Sequence, residues 1–210
     1  MAGVEACVCG GIVLSGRVMK RILRILVAAL LLWGTGIAGA SASDEAGKLD
    51  EFFRAYLEAD FVLRPTRATR LGDHRFDHLL DDVSRSARES WEDLARRTLR
   101  ALPDRVSYRE LPRSAQVDYE IFERSLERTL WLARHARPFE EDPRVYGQFI
   151  SGGVYPLLAQ STLPLATNVA NSLLRMEQIP RVLAAARENL GNPPRVMVET
   201  AIRQNLGAIR

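Results

Sequence analysis

The sequence predicts an all-α protein, a multi-helix antiparallel array, and three observations predict it. Apolar residues recur at three- and four-residue spacing along nearly all of residues 43–210. No alternating run of β-branched residues marks a strand. Pro and Gly interrupt the helical stretches at short intervals, which leaves the brief connections that join antiparallel neighbours. There is no internal repeat and no low-complexity linker.

The N-terminal 42 residues stand apart. Met19-Lys-Arg-Ile-Leu-Arg24 is basic, Ile25 to Ile37 is apolar, and Ala38-Gly-Ala-Ser-Ala42 is small, with Ala40-Ser41-Ala42 fitting a cleavage site. That order is the secretory signal pattern, so residues 19–42 read as a signal peptide and the protein as exported, periplasmic or extracellular. Met19 fits a true initiator, with residues 1–18 a mis-assigned start. The competing reading, an uncleaved anchor, asks for about 20 apolar residues, and this run is shorter. No Cys follows the run, so lipid attachment is not indicated.

From Ser43 the helices follow in order. Leu49, Phe52, Phe53, Tyr56, Leu57 and Phe61 form one apolar stripe that Pro65 ends. Pro65 to Gly72 reads as a short helical turn with Gly72 as its stop. Asp73 to Val83 is Asp-rich and reads as a solvated loop holding one packed ring, Phe76. Ser86-Ala-Arg-Glu89 reads as a capping box, opening a helix with Trp91, Leu94, Ala95, Thr98 and Leu102 inward and Pro103 at its end. A helix from Ser114 to His135 carries Tyr119, Phe122, Leu126, Leu130 and Ala133 on one face, and Pro138 and Pro143 mark the loop after it. Trp91 and Trp131 read as core anchors. Tyr146 to Gln160 is apolar, with Ser151-Gly-Gly153 as an interruption. Helices follow over Leu165–Gln178, Arg181–Leu190 with Gly191 as stop, and from Pro193-Pro194 to Arg210. The last stripe, Val198, Ala201, Ile202, Asn205 and Ile209, has no capping Gly or polar tail after it, so the sequence predicts the first part of a larger domain.

Composition excludes some functions. The chain has 210 residues, 47% apolar and 26% charged, enough for one domain with a core. Removing the four positives and one negative of residues 1–42 from totals of 29 and 26 leaves 25 of each. The domain at 43–210 is therefore neutral, which argues against nucleic-acid binding. Membrane contact is expected only through the signal segment. Cys7 and Cys9 are the only cysteines, both upstream of the apolar run, and a zinc site needs four ligands.

Four candidate constellations each have a plainer role. His74 and His78 lie at i, i+4 and could share a metal on a helix, with Asp73, Asp77, Asp81 and Asp82 as further oxygens. A zinc peptidase needs Glu directly after the first His as general base, and Arg75 stands there. His135 reads as a C-terminal helix cap. Ser151 lacks the preceding strand and the Gly two positions earlier that a nucleophile elbow needs; Gly152 and Gly153 read instead as a point of close approach. Glu120, Glu123 and Glu127 interleave with Arg124 and Arg128 as a solvated, ion-paired face. No catalytic, metal or cofactor-binding residue is assigned in this chain.

Several segments together resemble a known family. They are Leu63-Arg-Pro-Thr-Arg-Ala-Thr-Arg-Leu-Gly-Asp-His-Arg75, Gln116-Val-Asp-Tyr119, Gly153-Val-Tyr-Pro-Leu-Leu158, Ile179 to Leu190, Asn192-Pro-Pro-Arg-Val196 and Glu199-Thr-Ala-Ile202. Their order and spacing resemble the start of bacterial proteins grouped as domain of unknown function 885, over about residues 48–210. The resemblance implies a longer exported protein that looks like a helical, zincin-like peptidase. Its zinc helix, with a His-Glu…Gly-His pattern, would lie in the C-terminal half, and nothing here matches it. Zinc is thus implied for the full-length family and no cofactor for this chain. The implied partners are the missing C-terminal half of the domain and a peptide substrate. The alternatives are a free-standing helical binding or envelope-structural module, and a membrane-surface protein held by an uncleaved Met19–Ile37 helix.

Overall fold

A computed structural model describes residues 36–208. The readings placed on residues 1–35 lie outside the described residues, as does Ile209 of the last stripe. The chain divides into two compact units, Met1–Asp44 and Glu45–Arg210. Of the first, only helical backbone from Gly36 onward is described, and the account below concerns the second. The described residues are helical, with no strand among them.

Among the described residues nine α-helices run in order: α1 (Gly36–Leu63), α2 (Pro65–Arg70), α3 (Arg85–Arg105), α4 (Arg113–His135), α5 (Pro138–Glu141), α6 (Arg144–Ala159), α7 (Leu165–Met176), α8 (Ile179–Asn189) and α9 (Arg195–Ala208). Two 3-10 turns, His74–Phe76 and Tyr108–Glu110, sit between them. None of the helices among the described residues is long and apolar enough to cross a membrane.

Local chemistry explains most boundaries. Pro65 denies an N–H to a continuing α1 and supplies a preset first turn to α2. Gly72 takes a φ of 85° just past α2, a left-handed conformation that a side chain would resist. Pro180 sits in the first turn of α8. Two expectations are corrected. The cap of α3 is Ser84, whose Oγ accepts from the Ala87 N–H at 3.3 Å, so the box expected at Ser86–Glu89 does not form. Pro103 does not end α3; it is accommodated in the last turn, and the helix runs on to Arg105.

Helices α3 and α4 form an antiparallel hairpin. Leu102 near the end of α3 packs with Ala115 and Tyr119 near the start of α4. Leu49 of α1, Val106 and Leu111 complete this cluster, with Phe52, Phe53 and Phe122 against it. Phe122 is ringed by Phe52, Phe53 and Tyr56 at 6.2, 4.8 and 5.1 Å. Off-parallel ring contacts of this kind add to simple burial.

A second cluster surrounds α6. It joins Leu80 and Val83 of the loop before α3, Tyr146 of α6, and Val182, Ala185 and Ala186 of α8. Trp91 packs against it and donates its indole N–H to the Leu63 carbonyl at 3.2 Å, as a core anchor should. Trp131 is different. It is exposed and stacks on His135 at 4.6 Å, because the stripe of α4 climbs out of the core before its last turn. Ala133 is exposed for the same reason.

Candidate functional site

The segment after α2 was expected to be solvated, and it is not. Asp77, Leu80, Asp81 and Val83 are buried, whereas Phe76 is only half-buried. The cause lies on α7, which is turned inside out. Its Asn168, Ser172 and Arg175, at i, i+4 and i+7, face inward and are buried, while Leu165, Val169, Leu173 and Met176 are exposed. A polar helix face inside a fold requires polar partners. The Asp-rich loop supplies them to Arg175, while Asn168 donates to the Leu163 carbonyl and Ser172 Oγ has no hydrogen-bond partner among the described residues.

Arg175 is the hub, with none of its surface exposed. One terminal nitrogen, Nη1, donates to the Gly153 carbonyl of α6. The other, Nη2, donates to Thr69 Oγ1 at 2.6 Å and to the Phe76 carbonyl at 3.4 Å. Thr69 passes the connection on, donating to Asp77 Oδ1 at 2.6 Å. Asp77 Oδ1 lies 4.0 Å from Arg175 Nη2, the nearest opposite charge. The second oxygen of Asp77 pairs with His74 Nδ1 at 2.7 Å. Burial pushes the Arg175 guanidinium down from its ordinary value, Asp77 and Asp81 oppose that, and neighbouring Arg70 adds to it.

Asp81 performs a separate task. The residue before α2, Arg64, offers no side-chain cap, so the free N–H groups of that helix need an acceptor from elsewhere. Asp81 accepts from the Thr66 N–H at 2.8 Å and from the Thr66 hydroxyl at 2.7 Å. Burial raises the Asp81 carboxyl above its ordinary value, and these two Thr66 bonds only partly offset it. The sign follows from linkage. A carboxyl raised in the folded state adds stability below its unfolded pKa and loses it as pH rises, so ionised Asp81 works against the fold. The loop backbone is fastened as well. Gln178 accepts from the Leu80 N–H at 3.0 Å and donates to the His78 carbonyl at 2.9 Å, and Arg181 donates to the Leu80 carbonyl at 2.9 Å.

Two glycines of α6 admit this arrangement. A Cβ on Gly153 would lie 2.3 Å from Leu80 Cδ1 and 3.4 Å from Thr66 Cγ2. Gly153→Ala is therefore expected to cost about 1–3 kcal/mol through overpacking. Urea unfolding checks this, and a loss below about 0.5 kcal/mol would mean that Leu80 gives way freely. A Cβ on Gly152 would meet Arg70 Nη2 at 2.7 Å. Arg70 Nη2 donates to the Gly152 carbonyl at 3.4 Å. That oxygen has no helical partner of its own, because Pro156 four residues on lacks an N–H.

A cleft of about 280 Å³ opens beside this network, between Arg70 and His74 on one side and Pro156, Gln160, Ser161 and Thr162 on the other. A larger groove of about 570 Å³ runs between α3, the end of α4 and α5. Its walls include Trp91, Leu132 and Phe139, and Arg88 lies 4.2 Å over the Phe139 ring while donating to Asn189 Oδ1 at 3.1 Å.

The remaining candidates fall in simpler places. His74 and His78 do not share an α-helix, since the 3-10 turn stops at Phe76; His74 binds Asp77 and His78 is exposed. Among the described residues no three His, Cys, Asp or Glu side chains gather as metal ligands. His135 Nδ1 lies 2.8 Å from the Trp131 carbonyl, the expected contact with the last helical turn. Ser151 is exposed and donates to the Gly147 carbonyl at 2.8 Å within α6. Glu120 meets Tyr108 and Arg113, and Glu127 meets Arg124 at 3.1 Å, as an ion-paired face. Arg175 as a hub is a functional residue that sequence reasoning missed. The available signal was the spacing of Asn168, Ser172 and Arg175, three polar residues on one narrow stripe.

Comparison with known proteins adds two findings. A family model described as "Bacterial protein of unknown function (DUF885)" matches residues 65–210. A solved structure titled "The structure of a putative lipoprotein of unknown function from Shewanella oneidensis" is similar, with 26% identity and a TM-score of 0.69. The match covers 76% of this chain and 29% of that one, so the chain spans well under half of that protein's length. No curated protein gives a significant match.

Proposed function

The chain belongs to the DUF885 family of bacterial proteins, and from that premise we propose that it is the N-terminal helical part of a longer, exported protein of metal-dependent peptidase type. In this reading it forms one wall of a peptide-binding cleft. In this reading the zinc ligands and the general base belong to the part that follows, since the family resemblance implies a His-Glu…Gly-His pattern in the C-terminal half.

The inverted face of α7 carries the proposal. Leu165, Val169, Leu173 and Met176 are 70%, 42%, 57% and 49% exposed along one side of a helix whose polar side is already buried. Scattered apolar residues on a surface need no explanation, but an aligned row does. Covering each such side chain stabilises by about 1.5–3 kcal/mol, so an uncovered row favours a partner surface. The occupant we assign is the remainder of the longer protein. The 29% coverage of the Shewanella oneidensis protein supports that assignment, since most of that chain lies outside the match.

The test compares the 210-residue chain with a version extended by the downstream coding sequence. Hydrolysis of an unstructured peptide with added zinc is expected from the extended protein and not from the shorter one. Leu165→Glu and Leu173→Glu are expected to leave the helicity of the short chain unchanged and to lower the melting temperature of the extended one. Zinc-dependent turnover by the short chain that vanishes in His74→Ala or His78→Ala would overturn the proposal. An extended protein inert toward peptides would favour the helical binding or envelope module instead.

A further inference from the structure

The cleft beside Arg70 and His74 has a charge pattern unlike its surroundings. Neighbouring cations are neutralised locally: Arg64 and Arg67 pair with Asp60, the latter at 3.2 Å, and Arg75 pairs with Asp73 and Glu58. Arg70 has no carboxylate within ion-pair distance among the described residues. Its one hydrogen bond to the described residues is the long contact to the Gly152 carbonyl, and its side chain lines the cleft. Arg175 lies close enough for the two positive charges to oppose each other.

His74 is held more firmly than Arg70. Its Nδ1 is tied to buried Asp77, whose other oxygen is engaged by Thr69, so the ring orientation is set; Nε2 has no partner among the described residues and donates to an anion in the imidazolium form. The opposite wall contributes only neutral polar groups, the Gln160 amide and the hydroxyls of Ser161 and Thr162. No Asp or Glu lines the cleft. A guanidinium without an ion-pair partner, a fixed imidazole and two hydroxyls around a volume of about 280 Å³ suit one small anionic group rather than a whole peptide.

We propose that this cleft is an oxyanion-binding site, holding a carboxylate or phosphate group of a ligand between Arg70 and His74. The guanidinium supplies paired N–H donors to two oxygens of the group, and the hydroxyls of Ser161 and Thr162 take the remainder. The site stands independently of the peptidase reading, because no chemistry is assigned to it beyond recognition.

The experiment titrates the 210-residue chain with inorganic phosphate and, separately, with acetate, each at constant ionic strength set with chloride. Binding is read from the backbone amide NMR shifts of Ser161 and Thr162 and from the His74 ring nitrogens. Saturable shifts with at least one anion are expected, and which anion gives them identifies the group. Arg70→Gln is expected to weaken binding by about tenfold or more, as befits one charged donor pair, and Arg70→Lys to recover part of it. Arg70 is exposed, so both variants should keep the parent circular dichroism spectrum. His74→Gln is expected to weaken binding less. The absence of saturable shifts with both anions would overturn the proposal, as would Arg70→Gln binding as tightly as the parent.

Discussion

Arg175→Ala is expected to lower the unfolding free energy of the helical unit by about 3–5 kcal/mol, the cost of breaking a buried charge network by removing one member. The reason lies in what the substitution leaves behind. Asp77 remains fully buried without the guanidinium opposite it, and the Gly153 and Phe76 carbonyls and Thr69 each lose a donor. A cavity adds to that loss. Urea unfolding followed by circular dichroism measures it. The pair Arg175→Met with Asp77→Asn separates the charge from the packing. Removing both charges while keeping volume is expected to recover a good part of the loss, because no buried charge is then left alone. A single Arg175→Ala loss under about 1 kcal/mol would show that the network does not hold α2, α6 and α7 together.

Leu102→Ala is expected to cost about 2–5 kcal/mol by emptying the middle of the other cluster. Leu102 has no exposed surface and packs among Leu49, Val106, Leu111, Ala115 and Tyr119. These neighbours come from α1, α4 and the segment joining α3 to α4, so no single side chain can collapse into the space. Hydrogen exchange should locate the effect. Protection is expected to fall most in α1 and at the α3–α4 turn, and less in α6 and α8, which belong to the second cluster. A uniform loss of protection across both clusters would show that they open as one cooperative unit.

Much of the fold was legible because its signals are local. Pro65, Gly72, Pro180 and the stripe from Leu49 to Phe61 act through backbone dihedrals and periodicity, which need no knowledge of the rest of the chain. The errors fall where several local solutions compete. Ser84 and Ser86 could each cap α3, and the helix starts from Ser84, two residues earlier. Pro103 can be borne in a final turn, since only one carbonyl there loses a partner. Trp131 lies on a periodic stripe, yet the helix outruns the core it packs against.

The polar centre was not legible, and the reason is physical. Asp77 and Asp81 lie in a segment whose composition reads as a turn, and composition cannot show that a buried arginine stands opposite. Arg70 and Thr162 are 92 positions apart in the sequence yet line one cleft, because Gly152, Gly153 and Pro156 let α2 and α6 approach and free a carbonyl for Arg70.

The sequence by itself determined the all-α class, the neutral character of residues 43–210, most helix boundaries and the resemblance that the family match bears out. These rest on short-range sterics, periodicity and summed charge. Only the tertiary structure decided which face of α7 turns inward. A helix with one polar and one apolar side fits either way round, and the choice depends on whether its neighbours offer carboxylates and carbonyls or apolar side chains. Here α2, α6 and the Asp-rich loop offer polar partners, so Arg175 goes in and the leucines come out.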